Sequence, residues 1–342
     1  MIRTAIVCFT FLLSSHSLAQ AITVTHTFRD ATTASAEEVN QNFLDLINGV
    51  DAIVRKNDTL FNTATGANSL QFNATGDKNT ASGYQALYNN ISGSANTAVG
   101  YHSLRANTSG PYNTALGYQS LYSNETGYGN TAVGYRSMEL TVSGNYSTAV
   151  GWESLVKNVD GDENTALGNR TLYENISGSN NTAVGSAALR ENTTGHSNVA
   201  VGYFSMLGNK TGTSNTAIGF RAMEDTTDGF ANTASGAQAL LNNTVGSRNT
   251  AIGFGTLKSN INGNYNTAIG DSALDANTSG SNNTAIGTDA MLVNVTGEYN
   301  AAVSNRALQK NTSGSYNVAV GDYALNNNTT GSSNTGIGRN AD

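Results

Sequence analysis

Residue types able to do chemistry are few in this chain and poorly spaced for it. The histidines His16, His26, His102 and His196 share no ligand spacing, whereas an imidazole metal site needs its donors at short regular intervals. Carboxylates that could hold calcium or work as an acid–base pair are scattered through the sequence, at Glu139, Glu153, Glu224, Asp275 and Asp289. The Gly336–Gly338 fragment lacks the strand–loop–helix setting that lets glycine-rich turns cradle phosphate. No nucleophile, base and orienting group occur together, so no catalytic, metal or cofactor site and no enzymatic activity are expected.

What the chain does contain is repetition. The stretch "NTALGYQSLYSNETGYG" (113–129) is followed by "NTAVGYRSMELTVSGNY" (130–146), and a period of seventeen runs without insertion or deletion from Asn62 to the end. Numbering the columns from Asn62, column one is Asn except at Ser147, column three Ala except at Gly336, and column five Gly except at Ser304. Column nine is Leu or Met in all sixteen complete repeats, column twelve Asn in 14 of 16, and column fifteen always Gly.

Short runs such as "TAVGY" and "SALR" have strand length, and Asn-x-Ser/Thr-Gly between them reads as a turn whose glycine takes positive φ. Two short strands and two turns per repeat make one coil of an all-β parallel β-roll or β-solenoid. Stacking places like residues over like, so Asn62, Asn79 and Asn96 are expected to form an amide ladder. The expected core is the Ala of column three, the Val, Ile or Leu of column four, and the Leu or Met of column nine. So thin a core offsets little of the entropy of ordering a coil, and columns three and four point to opposite strand faces. Sister chains are expected to cover the second face.

These repeats resemble the head domains of trimeric autotransporter adhesins, the YadA-like heads. The seventeen-residue form with its "TASAEEVNQNF" leader also resembles secreted bacterial proteins related to phage tail fibres. The likeness covers residues 31–342 and implies a left-handed parallel β-roll, a homotrimer and a surface fibre that adheres. Neither the neck and C-terminal β-barrel anchor nor a self-cleaving chaperone is discernible before Asp342, which leaves the anchoring mode open.

Residues 1–19 read as a secretory signal peptide: Arg3, an apolar run from Ala5 to Leu13, and small residues Ser17 and Ala19 before the cleavage point. Cys8, the sole cysteine, leaves with it, so no disulfide is expected. Residues 20–34 read as an extended arm with a short strand. Residues 35–60 open with a capping box, Ser35 and Glu38, and then space Val39, Phe43, Leu46, Val50, Ile53, Asn57 and Leu60 alternately by four and three. That seam predicts a short coiled-coil helix that trimerises the chain; a lone amphipathic helix would show a similar stripe. The β-roll domain is 62–342.

With 17 basic and 24 acidic residues the chain does not suit nucleic acid, and no second apolar segment is long enough to span a membrane as a helix. Two columns remain as candidate surfaces. Column six carries Tyr84, Tyr101, Tyr118, Tyr135 and Trp152, then loses its aromatics at Asn169 and Ser186. The reading favoured is a self-stacking ladder; a strip contacting a glycan or protein is the other. Column two is Thr in 14 of 17 positions, which raises ice binding as a remote alternative. The Asn-x-Ser/Thr triplets at Asn90, Asn107, Asn175 and Asn311 read as turns rather than glycan acceptors. The functional expectation is an exported, non-enzymatic homotrimeric fibre on the cell surface or outside it, attaching to a glycan or protein through many repeats. A passive spacer in a larger appendage is the alternative.

Overall fold

The computed structural model describes residues 6–11, 22–27, 54–57 and 60–342, the first three segments as backbone only. Two units divide at Ala52. In the first, β1 (Ile6–Phe11) pairs antiparallel with β2 (Ile22–Thr27), from Ile6 opposite Thr27 to Phe11 opposite Ile22.

The second unit is a parallel β-solenoid. Its strands β4 (Asn62–Thr65), β5 (Thr80–Ser82) and so on to β20 (Thr335–Ile337) recur every seventeen residues. Each pairs with its sequence neighbours in strict column register, Thr97 with Thr114, Ala98 with Ala115, Val99 with Leu116. Before them, β3 (Val54–Asn57) lies antiparallel along β4. This corrects the end of the expected helix 35–60: Asn57 is in a strand, and Leu60 in the turn that follows it. A strand edge offers a row of unpaired N–H and C=O groups that a helix cannot bond, whereas an antiparallel strand can. The remaining seam positions, Val39, Phe43, Leu46, Val50 and Ile53, lie outside the described residues, as does most of the expected signal segment.

Each coil holds one strand, not the two expected. The "SALR" arm cannot extend because columns seven and nine both have left-handed backbone: Gln119 and Leu121 each have φ of 52°. Column seventeen is left-handed too, with Tyr112 at 61°. The arm nevertheless bonds coil to coil. Leu104 N–H donates to Ser120 C=O at 3.0 Å and Ala106 N–H to Tyr122 C=O at 3.0 Å, while Gln119 N–H donates back to Tyr101 C=O at 2.9 Å. A side chain branched at Cβ crowds the left-handed backbone. Accordingly Val, Ile and Thr never occur in columns seven, nine or seventeen, though they fill columns two, four and thirteen. This is why the buried column nine uses Leu and Met and never Ile.

The two glycine columns serve different needs, and the expectation for one is corrected. Gly117, in column five, has φ of 136°, a region open in practice to glycine alone. Ser304 holds the equivalent place at φ 115°. Gly110, in column fifteen, has no positive φ; it is glycine because a Cβ there would lie 2.2 Å from the carbonyl oxygen of Gly127.

The core is a single file of Ala from column three and Leu or Met from column nine, joined by the Ala, Ser or Thr of column eight, all fully buried through the middle of the roll. Ser103 Oγ in column eight donates to Ala115 C=O at 2.9 Å, tying the left-handed arm to the strand across the coil. Column four faces away from the coil interior, on the strand face opposite the inward Ala, as the alternation of the two columns predicts.

The left-handed column yields a direct test. Replacing Leu189 by Ile is expected to destabilise the roll by about 1–3 kcal/mol through backbone strain. Leu189→Met, equally apolar, should cost less than about 1.5 kcal/mol. Chemical denaturation followed by circular dichroism measures both; equal losses would mean the left-handed backbone does not select the residue.

Candidate interaction faces

Two ladders of asparagine run along the roll and meet at one acceptor. In column one, Asn113 N–H donates to Asn96 Oδ1 at 2.8 Å, and Asn113 Nδ2 donates to Gly127 C=O at 2.8 Å. In the first half of the roll the link to the next coil is side chain to backbone; from Asn181 to Asn317, Asn215 apart, the amide Nδ2 also donates to the preceding Oδ1, at 3.1 Å from Asn181 to Asn164. Column twelve is amide to amide from the start, where Asn107 Nδ2 donates to Asn90 Oδ1 at 2.6 Å and Asn124 Nδ2 to Asn107 Oδ1 at 2.9 Å. Asn124 Nδ2 also reaches Gly127 C=O at 3.0 Å, so both ladders converge on the column-fifteen carbonyl. Asn90, Asn107, Asn175 and Asn311 are wholly buried in this spine, which removes them as acceptors for glycan on the folded chain.

The column-twelve ladder breaks twice, at Thr141 and Thr226, both fully buried. A hydroxyl is too short to bridge, and Asn124 Oδ1, Asn209 Oδ1 and both threonine hydroxyls have no partner. Column one loses its amide at Ser147 without such damage, since Asn164 N–H donates to Ser147 Oγ at 3.1 Å.

Column six forms a continuous stack. Ring centroids lie 5.4, 5.3 and 5.3 Å apart from Tyr84 through Tyr101 and Tyr118 to Tyr135, and Trp152 closes the run at 4.2 Å. Interplanar angles stay between 5° and 19°, so each interior ring has both faces against its neighbours and presents only its edge. The ladder resumes with Tyr203 and Phe220, 5.9 Å apart, beyond the point where the sequence reading ended it. Beside it lies the outer strand face, where Leu116 and Ile218 are 45% and 46% exposed next to the half-exposed Thr row of column two.

The scattered acids prove to be tied to arginines. Glu139 and Glu153, both nearly buried, take Arg136 at 2.6 and 3.6 Å, and Arg170 adds a contact to Glu153 at 2.8 Å. Arg221 pairs with Glu224, and Arg306 with Asp289 at 3.3 Å. The hydrogen bond it donates to Glu139 holds the Arg136 guanidinium above its usual pKa. Asp275 is the exception: burial pushes its carboxyl up, Lys258 only partly opposing, and its Oδ1 has no partner. His102 packs 3.9 Å from Tyr101, and burial holds its imidazole below the ordinary range. His196 is exposed, with Nδ1 3.3 Å from Ser197 Oγ. Among the described residues no three His, Cys, Asp or Glu gather as metal ligands, and no helix is long and apolar enough to cross a membrane.

The chain matches no protein-family model, no curated protein and no solved structure. Its own repetition supplies a comparison, because a slower period of 85 residues, five coils, overlies the seventeen. "LYNNISGS" (87–94) returns as "LYENISGS" (172–179), and "RSMELT" (136–141) as "RAMEDT" (221–226). Both ladder breaks and the Arg136–Glu139 and Arg221–Glu224 pairs belong to that second motif. Comparing columns at five-coil intervals would have exposed it from sequence.

Restoring the spine gives one prediction. Thr226→Asn is expected to raise unfolding stability by about 1 kcal/mol by supplying the donor that Asn209 lacks; an unchanged or lowered denaturation midpoint would count against the ladder. A second concerns pH. Because the folded carboxyl of Asp275 titrates above its usual 3.8, ionising it costs stability, fully so above the raised value and not at all below the unfolded one. Asp275→Asn should therefore stabilise the chain at neutral pH, with the gain fading in acid near pH 3; thermal melts across that range would reveal it.

Proposed function

We propose that this chain is an exported, non-enzymatic, homotrimeric surface fibre that attaches through many equivalent contacts along its roll. The observation that carries the reading is the outer strand face. Its column-four side chains continue coil after coil with no charged residue, from Val99 to Ile337, and are aliphatic at every rung but Ser235. At ~4.8 Å per coil that strip is ~67 Å long. An exposed apolar strip of that length exceeds what monomeric soluble proteins usually leave in water. Sister chains, each offering the same strip, are the occupants that match it rung for rung. The resemblance to YadA-like heads and the signal-like residues 1–19 support the same assignment. Repetition then turns weak single contacts into useful avidity.

A passive spacer is the second reading, favoured by the aromatic stack, whose ring faces are spent on one another. Light scattering on the purified chain is expected to give the mass of three chains. Lysine at Leu116, Ile218 and Ile252 together should release folded monomers, and a monomeric unsubstituted chain would remove the trimer. Deleting one 85-residue block keeps the register; weaker attachment to cells or glycan-coated surfaces is expected for an adhesin, unchanged attachment for a spacer.

A further inference from the structure

The roll carries a surface notch of about 550 Å³ on the arm opposite the strands. Three consecutive coils build it: Arg170 and Tyr173 from one, Arg190 and Thr193 from the next, Lys210 from the third. We propose that this notch binds a carboxylate-bearing sugar.

Its charges are arranged for such a ligand. Two carboxylates in the wall are already neutralised, Glu174 by Lys157 at 2.7 Å and Glu191 by Arg190 at 2.9 Å. Arg170 gives one edge of its guanidinium to Glu153 and keeps the rest. Among the described residues nothing pairs with the Lys210 ammonium, which stands exposed beside Thr193, whose hydroxyl donates to Lys210 C=O at 2.9 Å. The notch thus holds spare positive charge on a chain of net charge −7. Unlike the stacked rings of column six, Tyr173 has no aromatic neighbour stacked on it among the described residues; its companions are Lys157 Nζ and Arg170 Cζ, 5.5 and 5.9 Å from the ring centroid. A pyranose laid against Tyr173 would bring its carboxylate to Arg170 or Lys210 and its hydroxyls to Glu174 and Glu191 as donors. Sulfate has no hydroxyl donors for those carboxylate oxygens and would satisfy the cations alone. The size is that of a small-ligand site.

The 85-residue period shows that the fold does not require these cations. One block earlier the same frame recurs as Tyr88, Arg105 and Thr108, with Arg105 Cζ 5.2 Å from the Tyr88 ring centroid. There Gln85 stands in the place of Arg170, and Glu125 in the place of Lys210. One block later the frame itself is gone, with Lys258, Asp275 and Thr278 in its stead. Only the middle block converts it to positive charge.

This names a ligand class for the adhesive reading and rests on it, but its test is separate from assembly. Trigalacturonate and sialyllactose, two sources of a sugar carboxylate, are titrated calorimetrically into the purified full chain at low salt, with maltotriose and sulfate as controls. Saturable binding of at least one acidic sugar is expected, with none for maltotriose. The Arg170→Gln, Lys210→Glu double variant installs the first block's own residues at those two places; because it leaves Glu153 only Arg136 at 3.6 Å, Lys210→Glu alone is titrated beside it as the variant that should melt as the unsubstituted chain does and still bind more weakly. The double variant's affinity should fall about tenfold or more, as for loss of buried-edge charge contacts. The proposal is overturned if neither acidic sugar binds, if the double variant binds as well, or if sulfate binds as tightly as the sugars. A trimer that binds neither sugar would sink the notch alone; a monomer that binds would sink the assembly alone.

Discussion

Everything in this roll depends on each coil repeating the backbone of the one before it. Columns seven, nine and seventeen are left-handed in coil after coil, a conformation that costs an L-residue roughly 1–2 kcal/mol. No coil could hold three such residues alone. It is held because the neighbouring coil, bent the same way, presents carbonyls and N–H groups at matching heights: Gly117 N–H finds Val99 C=O at 2.8 Å, and Tyr112 N–H finds Ser94 C=O at 2.9 Å. Strain and its compensation are thus shared between neighbours, which makes stability a property of the stack rather than of the coil.

The same constraint divides the seventeen columns by freedom. Columns one, three, eight, nine, twelve and fifteen face inward, where a neighbouring coil leaves room for one size and one hydrogen-bonding pattern. Gly110 would meet Gly127 with any Cβ at all, and Thr141 leaves an unpaired oxygen on Asn124. Columns six, eleven and thirteen answer to no such demand. Their side chains stack on like neighbours where they can, as Tyr101 does on Tyr118, and elsewhere vary. Chemistry on this protein is therefore confined to the outward columns, and it arises where neighbouring coils place unlike residues side by side.

How much of this was legible in the sequence follows that division. The period, the parallel solenoid and the buried roles of Ala115 and Leu121 were readable because small and large apolar residues recur without drift. The second strand was misread since apolar and small residues in "SALR" suit an extended arm and a left-handed one alike. The missing β-branched residues in column nine were the signal that separates them. The glycine of column fifteen was assigned positive φ, whereas Gly110 answers a contact made across coils, which no single repeat displays. Asn57 was drawn into a heptad seam by spacing alone; its strand comes from the open edge of β4, a tertiary demand. The aromatic run reads as ending at Asn169 because Asn169 and Ser186 open a gap of two coils before Tyr203 and Phe220.

The slower period of five coils sharpens the argument about outward columns. Blocks that share "LYNNISGS" and "LYENISGS" share the backbone, the Asn spine and the core, so differences between them are differences the fold tolerates. At the inward positions those differences are small: Ala86 against Thr171, Leu87 against Leu172. At the outward ones charge changes sign, Glu125 against Lys210. A buried charge must find a partner or be left out, as Glu153 finds Arg136 and Arg170. An exposed one on a rigid rung need not, and Lys210 has none among the described residues. A rod assembled from near-copies therefore acquires distinct local surfaces without altering the coil that carries them, and its unpaired outward charges mark where one block departs from the others.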